Sequence, residues 1–443
     1  MAGLMARAWI TRARVLKMGA GAVAGGAGGV LAACGAAGAP ATEQPPAAAK
    51  RPATLIVDND WTKGDRLTVV QAWLQRANQV YPHLKTELRD NAESNDKTIA
   101  LFAADQQGDL FQLHWSLLPV YGTKNALQDI GPTLAALKFD VNSLYDVPDQ
   151  TLWNGKRLGL LIQLNTHTGV YNKNALQEAG MKEPAPSWTW DDYLEMAKRL
   201  HRPVDNRWGV GLEEAWIFPF FWAADAPYLD PKGPKALWDT PKCREVLQWL
   251  TDLVVRHRVA PSPKERSDQK LSFYNGNYGM HEFIVPTPAI TKRLEGKFAW
   301  EVLPRPKHPR TKKAVYLVTG HGYYVTAKAK ERGVLTEAVQ VLTELFHKDI
   351  QNLYISGLDL SSLPILKSVA TSPQALQQLP SSHKYALDNI PGGRAYDQVI
   401  GFKDFQNAFV PEFRKALDGE VSLEQAVANM QRASDAALQQ AAR

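Results

Sequence analysis

Lys97-Thr-Ile-Ala-Leu-Phe-Ala-Ala-Asp105 and Gly108-Asp-Leu-Phe-Gln-Leu-His-Trp115 stand two residues apart and ask for different backbones. Lys97–Asp105 reads as a helix, and Asp109–Trp115 as a strand. Working outward, Thr54–Asp58 is a β-branched run that predicts a first strand. Leu67–Val80 has a helical apolar rhythm that stops at Tyr81-Pro82. Leu158–Leu164 is strand-like, and Gly169–Tyr171 continues it after a polar interruption. Thr189-Trp-Asp-Asp192 opens a helix, with Thr189 as cap and both acids at its positive end. Glu245–Val255, Glu337–Phe346 and Leu423–Leu438 read as further helices. Phe298–Leu303 and Val315–Thr319 read as strands around Pro304–Lys313, whose five basic residues and no acid predict a solvated hairpin tip. Strands alternating with helices at this spacing predict an α/β layered architecture.

The 443 residues, 45% of them apolar, suffice for two or three domains with real cores. A formal charge of +6 invites a nucleic-acid reading, and its location removes it. Residues 1–33 hold Arg7, Arg12, Arg14 and Lys17 without an acid, so the remainder carries 47 basic against 45 acidic groups. A near-neutral body has no footprint for a phosphate backbone. Two cysteines, Cys34 and Cys243, cannot make a disulfide framework.

The basic start, the uncharged Gly/Ala-rich run Met18–Ala33 and the closing Leu31-Ala-Ala-Cys34 make an export signal. That closing box resembles the bacterial lipoprotein cleavage site, which implies residues 1–33 as signal peptide and Cys34 as the lipid-bearing mature terminus. Thr11-Arg-Ala-Arg14 is similar to the twin-arginine motif with Ala13 in place of one arginine. Residues 34–53, rich in Ala and Pro, read as a tether. Export with anchoring to the outer face of the cytoplasmic membrane, or a periplasmic location, is expected.

No zinc-protease motif, nucleophile elbow or phosphate-binding loop is present, and Glu213-Glu214 are neighbours that point apart. No catalytic residue, metal site or cofactor is therefore expected.

Several stretches now line up along the chain. They are Lys97–Leu113, Leu127-Gln-Asp-Ile-Gly-Pro132, Trp153–Lys173 with Ala179-Gly180 and Pro186–Trp190, Phe218–Asp225, Phe273-Tyr-Asn-Gly276 with Met280, and Leu363–Lys367. In this order, over roughly 54–440, they resemble the extracellular solute-binding proteins of the maltose-binding type, which serve carbohydrate ABC importers. Two departures stand out: Gly108-Asp109 where the family has Pro-Asp, and His281-Glu282-Phe283 where it has Gly-Pro-Trp. The resemblance implies two α/β lobes joined by a hinge, 54–164 with 321–365 and 166–319 with 367–443, and ligand in the cleft between them. Hinge segments are expected at Leu164–Thr168, Gly320–Gly322 and Ser361–Pro364. It also implies permease subunits as partners and a monomeric receptor without enzymatic activity.

Ligands of open α/β sheets sit beyond the C-terminal ends of strands. The first-lobe candidates are Asp60, Trp61, Trp115 and Ser116, with Gln163, Asn165 and His167 at the first crossing. Trp216, Trp222, Asp225, His281 and Glu282 follow from the second lobe, and His321 from the return crossing. A sugar wants a flat aromatic against its C–H face and hydrogen-bonding groups around its rim, which suits this set of Trp, His, Asp and Asn. His114 alternates to the other strand face from Trp115 and is left out. An exported glycan-processing enzyme, or a receptor for a metal, amine or phosphate-bearing solute suggested by the three histidines, are the alternatives.

Overall fold

Thr54-Leu-Ile-Val-Asp58 lies within the strand Ala53–Asn59, with Leu55 and Val57 fully buried. It is the second strand of a five-stranded sheet in a computed structural model that describes residues 51–442, apart from 91–94, 146–149, 285–287, 359, 361, 379 and 380. The signal, Cys34 and most of the tether lie outside the described residues, as does Ser361 of the third expected hinge segment. Leu84–Asp90 and Leu110–Leu113 flank the first strand in parallel. Gly322–Val325 and then Gly159–Leu161 complete the sheet. Gly108 opens the third strand because no side chain fits there: an added Cβ would stand 2.7 Å from Ile56 O. Asp109 follows, accepting the Ile56 N–H at 2.8 Å and pairing with Arg332.

The second sheet is built on one long strand, Gln163–Asn172. The polar residues expected to interrupt it are part of it. Tyr278–Ile284 lies beside it, followed by Trp208–Gly211, with Trp300–Leu303 on the other flank. The expected hairpin around Pro304–Lys313 does not form. Trp300–Leu303 and Leu317–Thr319 instead run antiparallel to two successive stretches of the long strand, Gly169–Asn172 and Asn165–His167. The basic loop between them is solvated only in part, at Arg310, Lys312 and Lys313. Arg305 and His308 are buried, the first against Glu282, the second beside Glu245 at 3.3 Å.

Helix starts follow their caps. Thr189 and Asp192 form a reciprocal capping box on Trp190–Leu200. The helix expected from Glu245 begins four residues earlier, at Pro241, because Thr240 caps it and a proline at the first helical position costs no hydrogen bond.

The larger two clusters of buried apolar residues draw one on stretches from Leu55 to Leu164 and Val318 to Ile390, the other on Tyr171 to Leu317 and Tyr396 to Leu438, with smaller clusters around Phe111, Phe273 and Ile355. The chain therefore passes three times between two cores. The first two lie between Leu164 and Tyr171 and between Leu317 and Val318. The third lies between Ile390 and Tyr396, since Ala370, Ala386 and Leu387 pack with the first core rather than the second.

Candidate functional site

The start of the long strand is where the passes meet. Leu317–Thr319 and Leu363–Pro364 both pair with it, opposite His167–Asn165 and Leu164–Gln163. Two glutamines that are 0% exposed pin these segments. Gln150 accepts the Gly320 N–H at 2.8 Å and donates to Val318 O at 3.4 Å. Gln351 accepts the Ile365 N–H at 3.0 Å and donates to Leu345 O at 3.2 Å. Gly320 is required by the close approach, because a Cβ would come within 2.5 Å of Gln163 O.

On the first-sheet side, Asn59 holds the turn after its strand by donating to Trp61 O at 2.8 Å and accepting the Tyr323 hydroxyl at 2.7 Å. The Asp60 N–H donates to Gln112 Oε1 at 3.2 Å. The Trp61 ring is 2% exposed, with His321 at 5.6 Å and the Arg66 guanidinium at 5.5 Å. His114 meets His321 edge-on at 6.5 Å, and its Nδ1 lies 2.7 Å from Ser116 Oγ. Strand alternation had removed His114 from the set. The strand ends at Leu113, so the alternation does not reach it. Trp115 opens the following turn, and its side chain lies outside what the structure describes.

On the second-sheet side, the His167 ring lies against Trp216 at 5.2 Å and 24°, and its Nε2 meets Thr319 Oγ1 at 3.0 Å. Trp216 continues to Tyr396 at 6.0 Å, and Tyr396 to Trp222 at 6.2 Å. Trp222 is mostly covered, and it lines a cavity with Asp225, Arg394 and Asp397. It is 5% exposed within the second core, and Arg394 stands over its ring at 5.0 Å. Asp225 is exposed and paired with Lys313 at 2.8 Å. Glu282 is buried in an ion pair with Arg305. His281 stacks on Tyr278 at 5.6 Å and Phe273 at 6.1 Å. The structure thus brings Trp61, Ser116 and His321 together with His114, and His167 together with Trp216, while Asp225 and Glu282 are engaged elsewhere.

Burial keeps the imidazoles uncharged. It presses His114, His167 and His281 down to about 4, helped by Lys403, Arg305 and Arg266 respectively. His321 is pressed to about 3 by burial and by the charges of His114 and Arg66. Around the crossings, both side-chain heteroatoms of Gln163, Asn165 Oδ1, His167 Nδ1, His321 Nδ1 and Trp61 Nε1 are buried with no hydrogen-bond partner among the described residues. Buried polar groups are seldom left so, and each left unmade costs about 1–3 kcal/mol. A group of them at one place offers hydrogen bonds to a molecule that is not protein. Among the described residues no three His, Cys, Asp or Glu side chains converge to hold a metal ion, and no helix is long and apolar enough to cross a membrane. Thr319, Tyr396, Gln150 and Gln351 carried no sequence signal, because each acts through a partner more than 100 residues away or through a backbone group that only the fold supplies.

An ABC substrate-binding protein from Listeria monocytogenes, solved in complex with cycloalternan, superimposes with a TM-score of 0.73 at 18% identity, covering 87% of this chain and 98% of that one. UgpB from Mycobacterium tuberculosis, in complex with glycerophosphocholine, gives 0.73 at 17% identity, covering 88% and 99%. In sequence, the chain is 26% identical over 238 residues to YcjN of Escherichia coli strain K12, which bears the name of an ABC transporter periplasmic-binding protein. That match covers 50% of this chain and 52% of YcjN, so the chain spans about half the length of the curated relatives it matches. The family of bacterial extracellular solute-binding proteins matches residues 76–381, more than half of the sequence. The chain belongs to that family and has its two-lobe α/β fold.

Proposed function

We propose that this protein is a receptor that captures an uncharged carbohydrate in the interlobe cleft and delivers it to the permease of an ABC importer, without chemistry of its own. The observation that carries the reading is the group of partnerless buried polar atoms at the crossings, on Gln163, Asn165, His167 and His321, beside the half-buried Trp216 ring. Neutral amides and imidazoles next to an indole suit hydroxyl rims and C–H faces. Asp60, Trp61, Trp115, Ser116 and His281 complete the proposed lining. The lobes that close on the ligand are taken to be the two buried clusters. A lipid on Cys34 would tether the receptor outside the cell, and Cys34→Ser should release it from the membrane with ligand binding intact.

The test is calorimetric titration of the chain from Arg51 onward with neutral oligosaccharides, together with a chase for product. Saturable stoichiometric binding without turnover supports the reading. Turnover of the glycan, or saturable binding only of a phosphate- or amine-bearing solute, ends it.

A further inference from the structure

Arg202 and Arg207 exchange backbone hydrogen bonds of 2.7 and 3.1 Å and so close a loop over residues 203–206. Asn206 turns that loop with a φ of 49°. Pro203, Asn206, Arg207 and Trp208 line a cavity of about 270 Å³, together with His201 and Arg258. Its place keeps it apart from the crossings. Trp208 pairs with Tyr278, and Met280, two residues further on, faces Tyr171 of the long strand. Trp208 therefore stands level with the outer end of that strand, roughly 30 Å from Gln163 at about 3.3 Å per residue.

The wall of this cavity is cationic and incompletely bonded. Arg207 is 7% exposed. Its Nε donates to Leu200 O at 3.3 Å and its Nη1 to Glu178 at 2.8 Å, which leaves Nη2 buried with no hydrogen-bond partner among the described residues. His201 Nδ1 is buried and left over in the same way. The His201 ring lies 5.1 Å from that of Trp208, and the Arg258 guanidinium stands over the same indole at 5.2 Å. Burial and the Arg258 charge hold the imidazole below its ordinary pKa. Glu178, Asp205 and Glu265 are held in ion pairs with Arg207, Arg202 and Arg258, and none of these acids lines the cavity. A buried charged donor without an acceptor is costlier than a neutral one. An oxygen bearing negative charge is the acceptor that it binds most strongly.

We propose that this cavity is a second binding site, separate from the interlobe cleft, for a small molecule bearing a carboxylate or phosphate group. Arg207 is its principal donor, and Arg258 and His201 complete the wall. A cationic solute is rejected, because the lining offers it two guanidinium groups and no acid. The site shares no residue with the proposed sugar-binding set, so it stands or falls apart from the carbohydrate reading.

The test titrates the full chain with inorganic phosphate and, separately, with succinate, at constant ionic strength. The readout is the His201 ring signals of 15N-histidine-labelled protein, assigned by their loss in His201→Phe. Saturation at one site per chain, with a Kd below about 1 mM for at least one anion, is expected. The tighter of the two names the group. Arg207→Gln should weaken binding at least about tenfold. Arg258→Gln alters an exposed residue, should weaken binding about threefold, and decides the matter if Arg207→Gln does not fold. Shifts that stay linear with both anions overturn the proposal, as does unchanged affinity in a folded Arg207→Gln or in Arg258→Gln.

Discussion

Trp61 and Trp216 both stand beside a histidine at the crossings, yet their surroundings differ in kind. Trp61 has His321 at one contact and Arg66 at another, and almost nothing of it reaches solvent. Trp216 is only half-buried, leaning on His167 and Tyr396. The first-sheet side is packed as a core is packed, and the second-sheet side keeps an aromatic at the boundary. An indole near a binding site is therefore not one kind of residue. What covers it decides whether truncation is felt in folding or in binding.

The largest effect should come from the covered rings. Trp61→Ala and Trp222→Ala should each cost about 3–5 kcal/mol of stability, as large buried aromatics do. Urea unfolding without ligand measures this. A loss under about 1 kcal/mol in either would place that ring with Trp216 instead. Trp216→Ala should show the reverse. Oligosaccharide affinity should fall by about 1.5–3 kcal/mol, roughly 10- to 150-fold, with a smaller change in unfolding. An unchanged Kd would erase the distinction between the two sides. Next in size, Gln351→Leu removes a buried acceptor from the Ile365 N–H and should destabilise by about 1–3 kcal/mol, with the excess in amide exchange confined to the Leu363–Leu366 segment. Uniform exchange across the chain would mean that Gln351 does not pin that segment in particular.

A separate effect is one of pH. His114, His167 and His281 sit near 4 and His321 near 3, against an ordinary 6.5. Between those values and 6.5 the folded chain binds fewer protons than the unfolded one. Their contribution is therefore complete above about pH 6.5 and is lost progressively as pH falls toward 4. Melting temperature should drop between pH 7.5 and 5, and less so in His321→Phe, which removes the most depressed of the four. Equal slopes would mean that His321 is not held neutral by its surroundings.

Much of the fold was legible because its signals are local. The Thr189 cap and the strand at Thr54–Asp58 each depend on residues within a few positions. What was misread is non-local. Within Pro304–Lys313, Arg310, Lys312 and Lys313 are solvated as expected, and the burial of Arg305 and His308 depends on Glu282 and Glu245, which lie elsewhere in the chain. Around Trp222 the non-local partner is Arg394, 172 positions later, which stands over its ring. The resemblance implies a third crossing at Ser361–Pro364. The packing changes near 390–396.

The three passes between cores also bear on the order in which the molecule can be made. The first core gains Val318–Ile390 only after the whole stretch from Tyr171 to Leu317 has been synthesised. The second waits longer still. Phe218 and Trp238 pack against Phe405 and Phe409, with ring centroids between 4.8 and 6.4 Å apart, and those partners belong to the helix Phe402–Leu417. A nascent chain halted at Ile390 would hold a nearly finished first core beside a second one whose aromatic cluster is open to water. Long sequence separation makes such closure slow and exposes apolar surface meanwhile. The last 50 or so residues act as a latch on assembly. A chaperone or the export machinery would meet this protein chiefly through its unfinished second half.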